Sequence, residues 1–376
     1  MQRWRGVVRK AHLWLGLGLG GLFAVLGLSG SVLVFYEAVD AALNPEIRVQ
    51  SRLPAPGWDS PVWDQALATV RARWPERRGA WRFEATGRPG PLAARYQPPG
   101  VGHHGQRIMV WLSPDGRQVL REDEWGRYAM TWLYDLHMNL LLGEGGRAVV
   151  GWAGVATAAL LASGLWAWWP RGSWRRALHF KREAERTRRL RDLHKLAGLA
   201  GLPLLAMLVV TGVMLALPDE SNAVLARTLG PVTKPGPVRA ASSGEPVGIA
   251  TALAAAHRVM PAGRLAWVEA PGPGFGAYMV RVQQPGDPSY RFPHSSVWID
   301  PASGAVLAVQ DRQRFGASNL VNNWLHPLHD ASAGGLWLRV PVALAGLLPA
   351  LLLATGVWRW ALLRRARREA FSRRAA

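Results

Sequence analysis

Four stretches without a charged residue constrain this chain most: Leu13 to Tyr36, Ala148 to Trp169, Leu196 to Leu217 and Val340 to Trp358. Each is close to the ~20 residues that an α-helix needs to cross the hydrocarbon of a bilayer. Four crossings return the chain to its starting side, so both termini share a compartment. Basic loops resist translocation, and Lys and Arg near the spans therefore set the orientation. Arg3, Arg5, Arg9 and Lys10 precede the first span, nine basic residues fill 170–193, and six follow Leu363, against only Glu183, Glu185, Asp192 and Glu369. These three segments are expected in the cytoplasm. They carry most of the formal net charge of +20, which the spans account for without nucleic acid. The 24-residue first stretch is too long for a signal-peptide core and reads as an anchor.

The spans divide the sequence into 1–36 (cytoplasmic N-terminus and first span), 37–147 (first extracytoplasmic segment with an interfacial helix) and 148–169 (second span). There follow 170–193 (basic loop), 194–217 (third span), 218–339 (second extracytoplasmic segment with an interfacial helix), 340–363 (fourth span) and 364–376 (basic tail).

The two halves repeat each other. Arg9 to Gly16 reads RKAHLWLG and Arg191 to Gly198 reads RDLHKLAG; at this offset of 182, His12 matches His194 and Ser29-Gly30 matches Thr211-Gly212. In each extracytoplasmic segment a helical pattern opens at Pro-Val (Pro61-Val62, Pro246-Val247) and gives way to alternating apolar stretches broken by Pro and Gly. Val110-Trp111-Leu112-Ser113-Pro114 matches Val297-Trp298-Ile299-Asp300-Pro301, a strand entering a turn, with a further strand at Val119-Leu120 and Val306-Leu307. Each segment thus predicts a small α+β module. At an offset of 192, WLYDLH ending at His137 matches WLHPLH ending at His329, Gly143 matches Gly335, Arg147 matches Arg339, and Ser163-Gly164 matches Thr355-Gly356. Both halves cross in the same sense, as parallel repeats related by a pseudo-two-fold axis along the membrane normal.

Four of the ten histidines fall at matched positions in apolar surroundings. His12 and His194 lie at the cytoplasmic ends of spans one and three; His137 and His329 lie in short helices preceding spans two and four. Each alone reads as an interfacial side chain with its ring at headgroup level. As pairs, they read as one imidazole from each repeat on either side of a haem, at two depths in the membrane. The chain contains no cysteine, which excludes disulfides, thiolate metal sites and covalently attached haem, so any such group is a non-covalent haem b.

Register selects His329 over His326 as the partner of His137; His326, matched by Tyr134, is a candidate secondary residue together with Tyr134, Arg147 and Arg339. His103-His104 in a Gly/Pro-rich loop reads as a solvent-facing pair, with metal or substrate binding as the alternative. Gly16, Gly18, Gly20 and Gly21 leave room for another helix or a macrocycle. Gly16, Gly18 and Gly21 also fit GxGxxG, but inside a span and not after a strand, so this is no nucleotide fingerprint.

These residues resemble the PepSY-associated transmembrane proteins, also called iron-regulated membrane proteins, over nearly the whole chain. The resemblance rests on the H-x-x-x-G opening with [ST]-G near the span's end (His12, His194). It rests equally on the LH, G and R pattern (His137/Gly143/Arg147, His329/Gly335/Arg339) and the [ST]-G-x-W ending. It implies a four-helix transmembrane bundle with two periplasmic PepSY-like α+β domains in the bacterial inner membrane. It also implies two b-type haems on His12, His194, His137 and His329, and reduction of a ferric siderophore.

A 24-residue cytoplasmic loop is too short for a flavin or nicotinamide domain, so the electron donor is external, a quinol or a separate reductase. PepSY domains also occur as regulators or inhibitors of peptidases. The alternative is therefore a non-enzymatic membrane-anchored module for a protease, peptide or envelope partner. A transporter of the iron complex, a third possibility, is disfavoured by spans without acidic residues.

Overall fold

A computed structural model describes residues 2–99, 107–170, 172–233, 238, 244–272 and 276–375; His103-His104 lies outside the described residues. Along the chain run α1 (Gln2–Leu33), α2 (Tyr36–Leu43), α3 (Val62–Arg73), β1 (Ala80–Glu84), β2 (Leu92–Gln97), β3 (Ile108–Leu112) and β4 (Val119–Glu124). Then come α4 (Ala129–Asn139), α5 (Gly143–Trp168), α6 (Trp174–Leu178), α7 (Arg186–Ala216), α8 (Pro218–Thr228) and α9 (Ile249–Val259). The last elements are β5 (Arg264–Ala270), β6 (Tyr278–Gln283), β7 (Ser295–Ile299), β8 (Val306–Gln310), α10 (Ala317–His329) and α11 (Gly335–Ala375). The chain forms two compact units, one of residues 1–35, 133–218 and 328–376, the other of 36–132 and 219–327.

The first unit is helical. Its four long helices, α1, α5, α7 and α11, are each long and apolar enough to cross a membrane. Only 17% of the apolar window is buried in three of them and 28% in the fourth. Most of that apolar surface therefore requires an apolar solvent outside the protein, which is what a bilayer supplies. Glycine lets α1 and α11 approach backbone to backbone: a Cβ on Gly27 would lie 2.4 Å from the Gly346 carbonyl oxygen. Ser31 closes the same crossing by donating to the Ala343 carbonyl across a gap of 2.8 Å. Pro203 in α7 and Pro341 and Pro349 in α11 sit inside continuous helices, as spans tolerate when neighbouring groups satisfy the freed carbonyls.

The residues from Leu133 and from Leu328 onward, including both LH motifs, belong with the helical unit and not with the strands. The basic tail is the continuation of α11, which stays helical to Ala375 because 364–375 contains no Gly or Pro to stop it.

The second unit is built on one antiparallel eight-stranded sheet, ordered β4-β3-β2-β1-β5-β6-β7-β8. Four strands come from residues 37–147 and four from residues 218–339. The two sets join where β1 pairs with β5, Trp81 opposite Ala270 and Glu84 opposite Trp267. The sequence predicts a module in each segment; the shared sheet covers an edge that each would otherwise expose. Strict alternation of buried and half-buried residues in β2 and β6 gives the sheet one apolar and one polar face.

α3 and α9 cover the apolar face, where Trp63, Ala66 and Val70 with Leu253 and Ala256 pack on Trp81, Phe83, Val110, Val268, Val280 and Val297. The turns after β3 and β7 each need a left-handed residue and have Gly116 (φ +73) and Gly304 (φ +70) there.

Nothing on α9 caps its own N-terminus, since Gly248 has no side chain to do so. Asp64 of α3 takes this role, accepting from Ile249 N at 2.5 Å and Ala250 N at 3.1 Å. This cap crosses between the two segments. Asp64→Ala is expected to lower stability by about 1–2 kcal/mol, read as a lower unfolding midpoint in detergent; an unchanged midpoint would mean that the cap contributes nothing.

Candidate functional site

The four matched histidines all lie in the helical unit, where they form two facing pairs. The rings of His12 and His194 have centroids 6.3 Å apart at an interplanar angle of 89°. Those of His137 and His329 are 6.1 Å apart at 51°. His329, and not His326, faces His137. His326 lies in the other unit, against the Phe292 ring at 5.9 Å.

Each ring is held by a Ser or Thr on a neighbouring long helix. His12 Nδ1 lies 3.0 Å from Ser163 Oγ, and His194 Nδ1 lies 3.0 Å from Thr355 Oγ1. His137 Nδ1 lies 3.0 Å from Ser29 Oγ, and His329 Nδ1 lies 2.9 Å from Thr211 Oγ1. Every one of these hydroxyls already donates its proton to a carbonyl of its own helix. Ser163 gives it to Leu160 O (2.8 Å), Thr355 to Leu351 O (2.8 Å), Ser29 to Val25 O (2.8 Å) and Thr211 to Met207 O (2.7 Å).

A hydroxyl has one proton, so at the imidazole contact it accepts and Nδ1 donates. Two carbonyl oxygens, which can only accept, repeat the assignment: Leu160 O lies 3.2 Å from His12 Nδ1, and Leu352 O lies 3.0 Å from His194 Nδ1. The carbonyl contacts assign Nδ1–H to His12 and His194, and His137 and His329 place Nδ1 beside a hydroxyl that can accept in the same way. Fixing the tautomer through the second nitrogen is how proteins prepare an imidazole as a metal ligand.

The glycine after each Ser or Thr is the floor under the ring. A Cβ on Gly30 would come 2.9 Å from His137 Cε1, on Gly164 2.9 Å from His12 Cε1, and on Gly212 3.0 Å from His329 Cε1. Gly356 is looser, 3.5 Å from His194 Cε1. The [ST]-G pairs stand out in the sequence as repeated motifs, but their partners are more than a hundred residues away. Only the geometry gives them the task of seating an imidazole.

The pairs lie at different heights along the bundle. His12 and Ser29, both on α1, are seventeen residues apart, as are His194 and Thr211 on α7. That spacing is roughly 25 Å of helix axis. A metal ion midway between two imidazoles, at the usual metal–nitrogen distance of about 2 Å, puts their centroids roughly 6 Å apart. The observed separations of 6.3 and 6.1 Å are close to that value. Among the described residues no group of three or more His, Cys, Asp or Glu side chains is placed to hold a metal ion.

The secondary candidates divide. Arg147 donates from Nη2 to Leu215 O at 2.7 Å, tying α5 to α7, and the Nε atoms of Arg147 and Arg339 are buried without a hydrogen-bond partner. Tyr134 lies on α4 within the helical unit, whereas its sequence counterpart His326 does not. Of the four glycines near the start of α1, Gly20 faces Leu353, where a Cβ would come within 2.7 Å, and Gly16 faces Leu160 at 3.9 Å. Gly18 and Gly21 face open space.

Among curated proteins, none matches the chain. The family model described as the PepSY-associated TM region matches residues 9–362. With four membrane-spanning helices and a match over nearly its full length, the chain is a membrane protein and belongs to the PepSY-associated transmembrane family.

Proposed function

We propose that this protein is a di-haem oxidoreductase of the bacterial inner membrane that passes electrons outward to a periplasmic ferric complex, a ferric siderophore, for iron release. Its two halves are parallel repeats, its termini are cytoplasmic and its sheet is periplasmic. The orientation rests on the clustering of Lys and Arg in 1–10, 170–193 and 364–376. The observation that carries the reading is the two facing imidazole pairs, each ring with Nδ1 seated at a Ser or Thr hydroxyl of a long helix.

Two protein ligands are too few for a zinc or non-haem iron centre, which takes three or more. Two is the number that a bis-imidazole haem takes, since the macrocycle fills the other positions. His12 and His194 hold the inner haem b and His137 and His329 the outer one, both without covalent attachment. Haem supplies one-electron Fe(III)/Fe(II) chemistry at these two depths, and reduction loosens a ferric ion from the hard oxygen ligands of its chelator.

The chain's own part is to orient the rings. Ser29, Ser163, Thr211 and Thr355 hold Nδ1 of each ring, and Gly30, Gly164 and Gly212 admit the rings of His137, His12 and His329 between helices. Electrons enter from an external donor, a quinol or a separate reductase.

Proteoliposomes test the reading. With dithionite trapped inside, a ferric siderophore outside and a ferrous-iron chelator as reporter, the protein is expected to produce Fe(II) well above empty liposomes. His12→Ala alone and His137→Ala alone should each abolish it, because the path needs both depths. Full activity in either variant would contradict the proposal.

A further inference from the structure

The polar face of the eight-stranded sheet carries more positive charge than its own carboxylates neutralise. Register places Arg95 of β2 beside Arg82 of β1, and Arg82 beside Glu269 of β5. One row along, Glu84 of β1 lies opposite Trp267 of β5, and Trp267 lies opposite Arg281 of β6. These residues form one patch across the β1–β5 seam.

Three carboxylates serve these guanidiniums: Glu269, Glu84 and, 3.2 Å from Arg291 Nη1, Glu37 of α2. Glu269 accepts from Arg82 Nε at 2.7 Å. Glu84 is gripped by Arg291, with Nε 2.8 Å from one oxygen and Nη2 2.9 Å from the other. Arg95 is left at 3.8 Å from the same Glu84, and Arg281 makes no ion pair among the described residues. The Nε atoms of Arg95 and Arg281 are both buried without a hydrogen-bond partner.

Part of the surplus is offset by aromatic faces, with the Arg95 guanidinium 4.8 Å from the Trp267 ring centre. Burial, followed by neighbouring guanidiniums, draws Arg95 and Arg281 from 12.5 down to about 10, so both remain cations at neutral pH. Buried charges in proteins are paired, and among the described residues the four guanidiniums of Arg82, Arg95, Arg281 and Arg291 share only Glu37, Glu84 and Glu269, which leaves a surplus of positive charge for an anion to neutralise. Guanidinium forks match carboxylate geometry closely.

We propose that this face, through Arg95 and Arg281, binds an anionic ligand bearing several carboxylates, which, resting on the reductase reading, is a ferric polycarboxylate chelate and not a neutral trihydroxamate.

Gallium(III) separates binding from reduction, because it fills the same chelators and is not reduced under these conditions. Calorimetric titration of the full-length protein in detergent with gallium(III) citrate should give saturable binding that weakens with added salt. Arg281→Gln and Arg95→Gln should each weaken it by at least about tenfold, Arg281→Lys by less, and Arg314→Gln, at an 89% exposed position, not at all. A neutral gallium trihydroxamate should bind at least tenfold more weakly than the citrate complex.

Equal binding of the two complexes, or citrate binding unchanged in whichever glutamine variant keeps the wild-type unfolding midpoint, would overturn the proposal. So would citrate binding that is absent in detergent while phosphatidylglycerol binds and is lost in Arg281→Gln, which would make the patch a lipid-headgroup site. A protein without haem would sink the reductase reading and leave the gallium result standing; haem-loaded protein that ignores the citrate complex would sink only this proposal.

Discussion

Replacing His194 by alanine is expected to remove one of two haems, lowering content from two per chain to about one and halving the low-spin band of the reduced protein. His194 faces His12 at 6.3 Å between ring centres, so its loss leaves the inner pair with a single nitrogen. A single axial imidazole holds a b-type haem less firmly and changes its spin state. His12→Ala should do the same, and the double variant should lose no more than either alone, because the two residues serve one site. His137→Ala should remove the other haem and leave the inner one unchanged. If the histidines only pack helices, the unfolding midpoint would fall with no spectral consequence.

The second large effect is expected from the glycines packed under the histidine rings. At Gly164 an added methyl group would lie 2.9 Å from His12 Cε1, a distance real Cβ atoms do not keep, so the ring must move. At Gly356 the corresponding distance is 3.5 Å, an ordinary contact. Gly164→Ala should therefore release the inner haem much as His12→Ala does, while Gly356→Ala should retain it. Outside such a contact, alanine stabilises a helix over glycine by roughly 0.5–1 kcal/mol, so Gly356→Ala is expected to be no less stable than the natural protein. Gly30→Ala and Gly212→Ala, at 2.9 and 3.0 Å from their rings, should lose the outer haem. Equal haem content in Gly164→Ala and Gly356→Ala would mean that the glycines do not seat the rings.

Much of this architecture could be read from local pattern. The four uncharged stretches mark the four long helices because a span must satisfy its backbone within itself, and that requirement is written as length and hydropathy. The strand beginning at Val110 and the one at Val297 announce themselves by apolar runs ending in Pro/Gly turns, and both lie in the sheet. The helical pattern after Pro61 is α3, and that after Pro246 is α9.

What stayed hidden was non-local. Nothing in AWRFE or RLAWVEA says that β1 and β5 pair with each other, since any antiparallel edge offers the same hydrogen bonds. The seam and its arginine patch appear only once that register is known. The LH motifs read as parts of the extracytoplasmic segments, yet their rings seat against Ser29 and Thr211 and so belong with the spans. The pairing of histidines was legible from the repeat. The Ser and Thr hydroxyls that hold their Nδ1 atoms were not, because a motif's recurrence does not tell what it touches.

The most direct measurement is the absorption spectrum of the detergent-purified protein, oxidised and then dithionite-reduced, with haem counted per chain as the pyridine haemochrome. Two b-type haems per chain with sharp low-spin bands on reduction is the predicted result. A colourless protein, purified from cells supplied with haem, would contradict it and leave a membrane-anchored PepSY module that binds a protease, peptide or envelope partner.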